Sequence, residues 1–118
     1  MDLGREYRTA PASFSMTNTV PPVLDAIFHQ PVRTRLSLLL YRGEPSFSQL
    51  KASLSITDGN LDAHLKKLGA VGYLHSRMVV EGRPHTVYCL SESGASAFRE
   101  YLDCLEAICA TAASRESD

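Results

Sequence analysis

The 118 residues carry 12 Lys or Arg, 13 Asp or Glu and a formal net charge of −1, with 44% hydrophobic and 21% charged residues. A chain of this size is about one domain and builds one core without disulfide or metal staples. It has no apolar run near the roughly 18 residues of a membrane helix, and residues 1–18 lack the apolar centre of a signal peptide. A cytoplasmic protein is therefore expected, with Cys89, Cys104 and Cys109 reduced.

Residues 1–20 are mixed in Ser, Thr, Ala and Pro with no hydrophobic period, and read as a flexible N-terminal arm. Met16 stands just ahead of the first periodic stretch, so a start there would still give a whole domain. The domain itself is expected over residues 21–118. Val23, Leu24, Ile27 and Phe28 sit at helical spacing and predict a short first helix. Pro31 suits the first turn of a second helix, whose buried stripe is Val32, Leu36, Leu39 and Leu40 and whose end is Gly43.

Ser46 and Gln49 form a capping box ahead of a short helix from about Phe47 to Ala52 or Ser53, with Phe47, Leu50 and Leu54 inward. Thr57 is the next N-cap, and Ile56 with Leu61 makes a hydrophobic staple. The helix over about 57–71 buries Leu61, Leu65 and Leu68, and Gly72 ends it with Tyr73 packing back on Leu68. Two helices joined by a tight turn are a helix-turn-helix.

From 73 to 90 the period changes to two, and Gly82-Arg83-Pro84 marks a hairpin tip. Ser91 caps a last helix of about 20 residues, on which Phe98, Tyr101, Leu102, Leu105, Ile108, Cys109 and Ala112 share a face. Cys104 and Cys109 point roughly 140° apart at about 100° per residue, too far for one chain to clamp a metal with both. Buried thiols filling apolar space are expected, with no metal and no cofactor.

Charge is unevenly spread. From Arg33 to Leu90 eight basic residues outnumber four acidic ones, and from Ser91 to Asp118 six acidic residues outnumber two basic ones. A basic middle and an acidic end point to a polyanion-binding face set apart from another surface.

The order is helix, helix, helix-turn-helix, hairpin, long helix: a mainly α chain with a small β-hairpin (α+β). Leu24 to about Leu105 resembles the winged-helix regulators of the MarR and ArsR type, and looks closest to the short stand-alone winged-helix transcriptional regulators. The resemblance rests on His29-Gln30-Pro31-Val32-Arg33, on Leu50 to Leu54, on Thr57 to Leu68, on Gly82-Arg83-Pro84 with Tyr88, and on Leu90-Ser91-Glu92-Ser93-Gly94. It implies a winged helix with N- and C-terminal dimerisation helices that binds double-stranded DNA. Ser55 departs from the pattern, standing where many helix-turn-helices have glycine, and Gly69 weakens the end of its helix by about 1 kcal/mol relative to Ala. The metal-sensing cysteine motif of the ArsR type is absent.

The face of the 57–71 helix opposite its leucines carries Gly59, Ala63 and Ala70, flanked by Asn60, Lys66 and Lys67. Small residues there let a helix sit deep in a major groove, where Asn60 can pair bidentately with adenine, a solvated first-turn residue being the alternative, and Lys66 and Lys67 meet phosphates. Thr57, Asp58 and His64 complete the candidate DNA-binding set on this helix. His64 falls at the edge of the buried stripe, so a packed histidine competes with a base reader, and Asp58 also suits the helix dipole. Arg83 is the expected wing contact at a flanking minor groove or backbone, a solvated arginine at a turn being the alternative, with Arg77 and His85 beside it, and Ser48 and Lys51 are weaker phosphate candidates. The dimer interface is expected at Val23, Ile27, Phe28, Tyr101, Leu105, Ile108 and Ala112.

The four histidines are scattered over different elements, no Ser or Cys has a nucleophile's setting and no glycine-rich phosphate loop follows a strand, so no enzyme is expected. The reading is a homodimeric, sequence-specific regulator of transcription. A winged helix used only to bind protein is the alternative, and purely architectural DNA binding a third. A small-molecule effector is left open.

Overall fold

The computed structural model of the protein describes residues 23–117. The expected arm, residues 1–20, lies outside the described residues. Backbone contacts divide the described residues into a larger compact part, Asp25–Glu100, and a second made of residues 23–24 and 101–117.

The larger part holds α1 (Pro31–Arg42), α2 (Phe47–Leu54), α3 (Asp58–Ala70), β1 (Leu74–Glu81), β2 (Arg83–Leu90) and the start of α4 (Glu92–Ser117). This is a winged helix, an α+β fold. The first predicted helix is absent: residues 26–28 form a single turn, with Phe28 and His29 N–H bonded to the Asp25 carbonyl. The reason is local. The Asp25 carboxylate takes the Ile27 N–H at 3.1 Å, as turn-forming aspartates do. Pro31 then forces Gln30 into an extended conformation, φ −149° and ψ 131°. Gln30 caps α1 from there, its side chain accepting from Arg33 N–H at 2.8 Å.

The capping box forms in full: Ser46 N–H donates to Gln49 Oε1 at 2.9 Å and Gln49 N–H to Ser46 Oγ at 3.2 Å. Thr57 Oγ1 accepts from Asn60 N–H at 3.2 Å and caps α3. Between the two helices Ser55 takes the left-handed conformation itself, φ 55° and ψ 51°, and its N–H bonds the Lys51 carbonyl. The turn is as tight as a glycine would make it. At the far end of α3, Gly72 sits at φ 80°, with Gly72 N–H on Gly69 O and Tyr73 N–H on Leu68 O, both at 3.0 Å. That pair of bonds is a Schellman cap, which needs a left-handed residue and so favours glycine.

β1 and β2 pair antiparallel in one register from Leu74↔Leu90 to Glu81↔Arg83. The tip is therefore Gly82 alone, and Arg83 and Pro84 already belong to β2. An isolated bridge from Ser46 to Val87 and a bond from Tyr88 N–H to Pro45 O tie the approach to α2 onto the base of the hairpin. The core of this part is Phe28, Leu36, Leu40, Leu50, Leu54, Leu61, Leu65, Leu68, Val87, Leu90 and Phe98. The Phe28 ring stacks on Tyr73 with centroids 5.3 Å apart and meets the edge of Phe98 at 5.1 Å.

In the second part α4 continues to Ser117, making it 26 residues rather than about 20. Tyr101 is buried, Leu102, Asp103, Cys104 and Leu105 are half-buried, and residues 106–114 are exposed. The cysteines are not the buried fillers expected: Cys89 and Cys104 are half-buried and Cys109 is exposed, all as free thiols. No helix among the described residues is long and apolar enough to cross a membrane.

Candidate nucleic-acid interface

α3 is held from three sides. Thr57 caps its start, Gly72 closes its end, and Leu61, Leu65 and Leu68 are sunk in the core. Its opposite face is free of core contacts: Gly59, Asn60, Ala63, Lys66, Lys67 and Ala70 are all exposed, and His64 is half-buried at the edge. The small residues and the polar ones thus share one exposed side, as their spacing predicts.

The charges divide into paired and unpaired. Lys51 on α2 holds Asp58 at the start of α3 at 2.7 Å, an exposed pair that links the two helices. Lys66 reaches back to Asp62 at 3.0 Å. Arg77 on β1 grips Glu44 with two bonds, Nε to Oε2 at 3.0 Å and Nη2 to Oε1 at 2.6 Å. The Arg77 guanidinium holds the Glu44 carboxyl below its ordinary value, and Glu44 raises Arg77 in return. Lys67 and Arg83 make no ion pair among the described residues. All these side chains are exposed, so the pairs are weak and exchangeable. Ser48 is exposed on α2, and His85 is exposed on β2 with Nδ1 donating to the Arg83 carbonyl at 3.0 Å.

Two interactions here were missed in the sequence. Glu44 lies in a loop with no periodicity, and its link to Arg77 spans 33 positions. Arg33 donates through Nε to the Ile27 carbonyl at 2.7 Å, and its Nη1 lies 3.2 Å from His64 Nδ1. Arg33 stands in the segment that carries the family resemblance, which was the one available signal.

Of the expected interface residues, Phe28 is 0% and Tyr101 3% exposed, so neither offers a surface. The Phe28 ring is spent on Tyr73 and Phe98. Val23 is 93% and Ile108 38% exposed, Ile27 and Leu105 are half-buried and Ala112 is exposed. Among the described residues no group of His, Cys, Asp and Glu could hold a metal ion.

Residues 32–109 match the family model of a winged helix DNA-binding domain. Over 78 residues the chain is 40% identical to an uncharacterised protein of Methanocaldococcus jannaschii, covering 64% of this chain and 85% of that one. Among solved structures it is similar to a transcriptional regulator homologue from Pyrococcus horikoshii OT3, at 32% identity and TM-score 0.65, covering 71% of this chain and 85% of that chain. It is also similar in fold to a MarR-family transcriptional regulator from Enterococcus faecalis V583, at 22% identity and TM-score 0.64, covering 78% and 84%.

Proposed function

The chain belongs to the winged helix DNA-binding domain family, a family of non-enzymatic transcription regulators, and on that premise we propose that it is a cytoplasmic, homodimeric regulator that reads a specific DNA sequence. α3 enters the major groove with Asn60 toward base edges and Lys67 toward phosphate, and the hairpin tip brings Arg83 to the flanking minor groove or backbone. Thr57, Gly59 and Ala63 allow the close approach, and Ser48, Lys51, Lys66, Arg77 and His85 supply the surrounding polar and positive contacts.

The observation that carries this reading is the exposed face of α3, where Gly59 and Ala63 leave room beside the exposed Asn60 and Lys67. A deep groove fits such a face, because nothing bulky holds the helix axis away from the base edges. Lys51, 2.7 Å from Asp58, offsets part of the repulsion this exposed acid exerts on phosphate at the helix start. The dimer rests on α4, where Leu105, Ile108 and Ala112 recur at helical spacing in a stretch of partial or full exposure.

The experiment is selection of bound duplexes from a random pool, followed by titration of the selected site against salt. A pseudo-palindromic site with half-sites about one helical turn, or a multiple, apart and a steep loss of affinity with salt are expected. Failure to bind any DNA at low salt would move the protein-interaction reading ahead.

A further inference from the structure

His64 stands one turn after Asn60 on α3, at the border between its exposed face and its buried leucines. Its Nδ1 faces the Arg33 guanidinium at 3.2 Å. That guanidinium is itself anchored through Nε on the Ile27 carbonyl. A guanidinium has only donors to offer and stays charged throughout the range in which proteins are folded. Nδ1 of His64 must therefore accept, and a neutral imidazole accepting through Nδ1 carries its proton on Nε2. Burial first, then the positive charges of Arg33 and Lys67, hold the imidazole below its ordinary value, which keeps the ring neutral near pH 7. The Nε2–H makes no hydrogen bond among the described residues.

We propose that Arg33 is a positioning residue that locks His64 in its Nε2–H form, and that His64 gives this one hydrogen bond to an acceptor on a base edge in the major groove. The proposal rests on the DNA-binding reading of α3. Its consequence is a polarity in recognition. Guanine N7 and O6, adenine N7 and thymine O4 accept, whereas the exocyclic amines of cytosine and adenine only donate. A free histidine can present either tautomer and so tolerates both kinds of group. One held by a guanidinium presents a donor alone, and rejects a base whose amine would face it. Asn60, one turn away, has a donor and an acceptor together and reads a different pattern.

The test combines spectroscopy on the free protein with binding of variants to the selected site and to scrambled DNA. Nitrogen NMR of the free wild type at pH 7.5 should show His64 as the Nε2–H tautomer, and Arg33→Met should show a mixture. His64→Leu should lose about tenfold in affinity for the selected site, the worth of one hydrogen bond, with little change on scrambled DNA. His64→Gln keeps an N–H donor and should recover most of that loss. Arg33→Met and Arg33→Lys should each lose affinity for the selected site, and Arg33→Met should add little on top of His64→Leu. Thermal melts establish that each variant is folded.

An Nδ1–H tautomer in the free protein would overturn the proposal. So would equal losses on both DNAs, which mark a phosphate contact, or unchanged binding by His64→Leu while Asn60→Ala weakens it. If His64→Leu and Asn60→Ala both bind as wild type, the DNA reading of α3 itself fails and takes the base contact with it, and the tautomer measurement still decides the role of Arg33.

Discussion

The backbone of Gly94, in the first turn of α4, lies against the backbone of Tyr73: a Cβ added to Gly94 would stand 2.9 Å from Tyr73 Cα and closer still to its carbonyl oxygen. The same carbonyl accepts from Ser91 N–H at 2.9 Å, and Ser91 Oγ donates to the Gly72 carbonyl at 2.6 Å. The cap that ends α3 and the turn that starts α4 are thus one joint. Gly94→Ala is expected to destabilise the protein by about 1–3 kcal/mol, the usual penalty of overpacking where backbone must move. Urea unfolding measures it, and a loss under half a kilocalorie would show that the joint yields easily.

Ser55 holds a left-handed conformation that L-residues with a Cβ enter at a cost of roughly 1–2 kcal/mol. Its side chain makes no bond that would compensate, among those of the described residues. Ser55→Gly should therefore raise stability by up to about 1 kcal/mol, part of the gain being offset by the greater freedom of glycine in the unfolded chain. Ser55→Val should lower stability. The two variants compared by denaturant midpoint decide whether the turn is strained.

His64 makes stability depend on pH. Its folded-state value lies below the ordinary 6.5 because burial, Arg33 and Lys67 all disfavour the charged ring. Below about pH 6.5 the unfolded chain binds a proton that the folded one resists, so stability falls on acidification and is unaffected by this group at higher pH. The denaturation midpoint of the wild type should drop between pH 7.5 and pH 5.5, and His64→Gln should drop less. Equal slopes would mean that the imidazole protonates in place.

The face of α3 and the wing tip should answer differently to mutation. Asn60→Ala should cost about 1–3 kcal/mol on the selected site and relax preference at one base pair per half-site. Lys67→Ala should weaken binding to all sequences and lower the salt slope by about one per protomer. Arg83→Ala should resemble Lys67→Ala unless the flanking minor groove is narrow, when A·T preference there falls too. If all three bind selected and scrambled DNA as wild type does, this face does not read DNA.

Self-association should depend on the stretch of α4 that is half-buried at Leu105 and exposed from residue 106 to 114. Leu105→Glu places a charge in the helical line with Ile108 and Ala112, and is expected to shift a dimer to monomer in sedimentation at micromolar concentration. A wild-type monomer under the same conditions, unchanged in the variant, would remove α4 from the interface.

Much of the architecture was legible in the residues themselves. The capping box at Ser46 and Gln49, the Thr57 cap, the Gly72 stop and the three-leucine stripe of α3 are signals that act within one turn of their own position. They specify local hydrogen bonds and one buried face whatever the rest of the chain does. The same locality explains why α3 and its exposed Asn60 and Lys67 stand where the spacing places them.

Tertiary structure decided the remainder. Val23 to Phe28 has helical spacing and turns for the local reason already given, but where the Phe28 ring goes is a tertiary matter: it stacks on Tyr73 and meets the edge of Phe98, residues 45 and 70 positions away in the chain. The links of Arg33 to His64, Glu44 to Arg77 and Gly94 to Tyr73 each join segments far apart in the chain. Periodicity assigns a residue to a face, but a partner is chosen by which faces meet, and that depends on how every element packs at once.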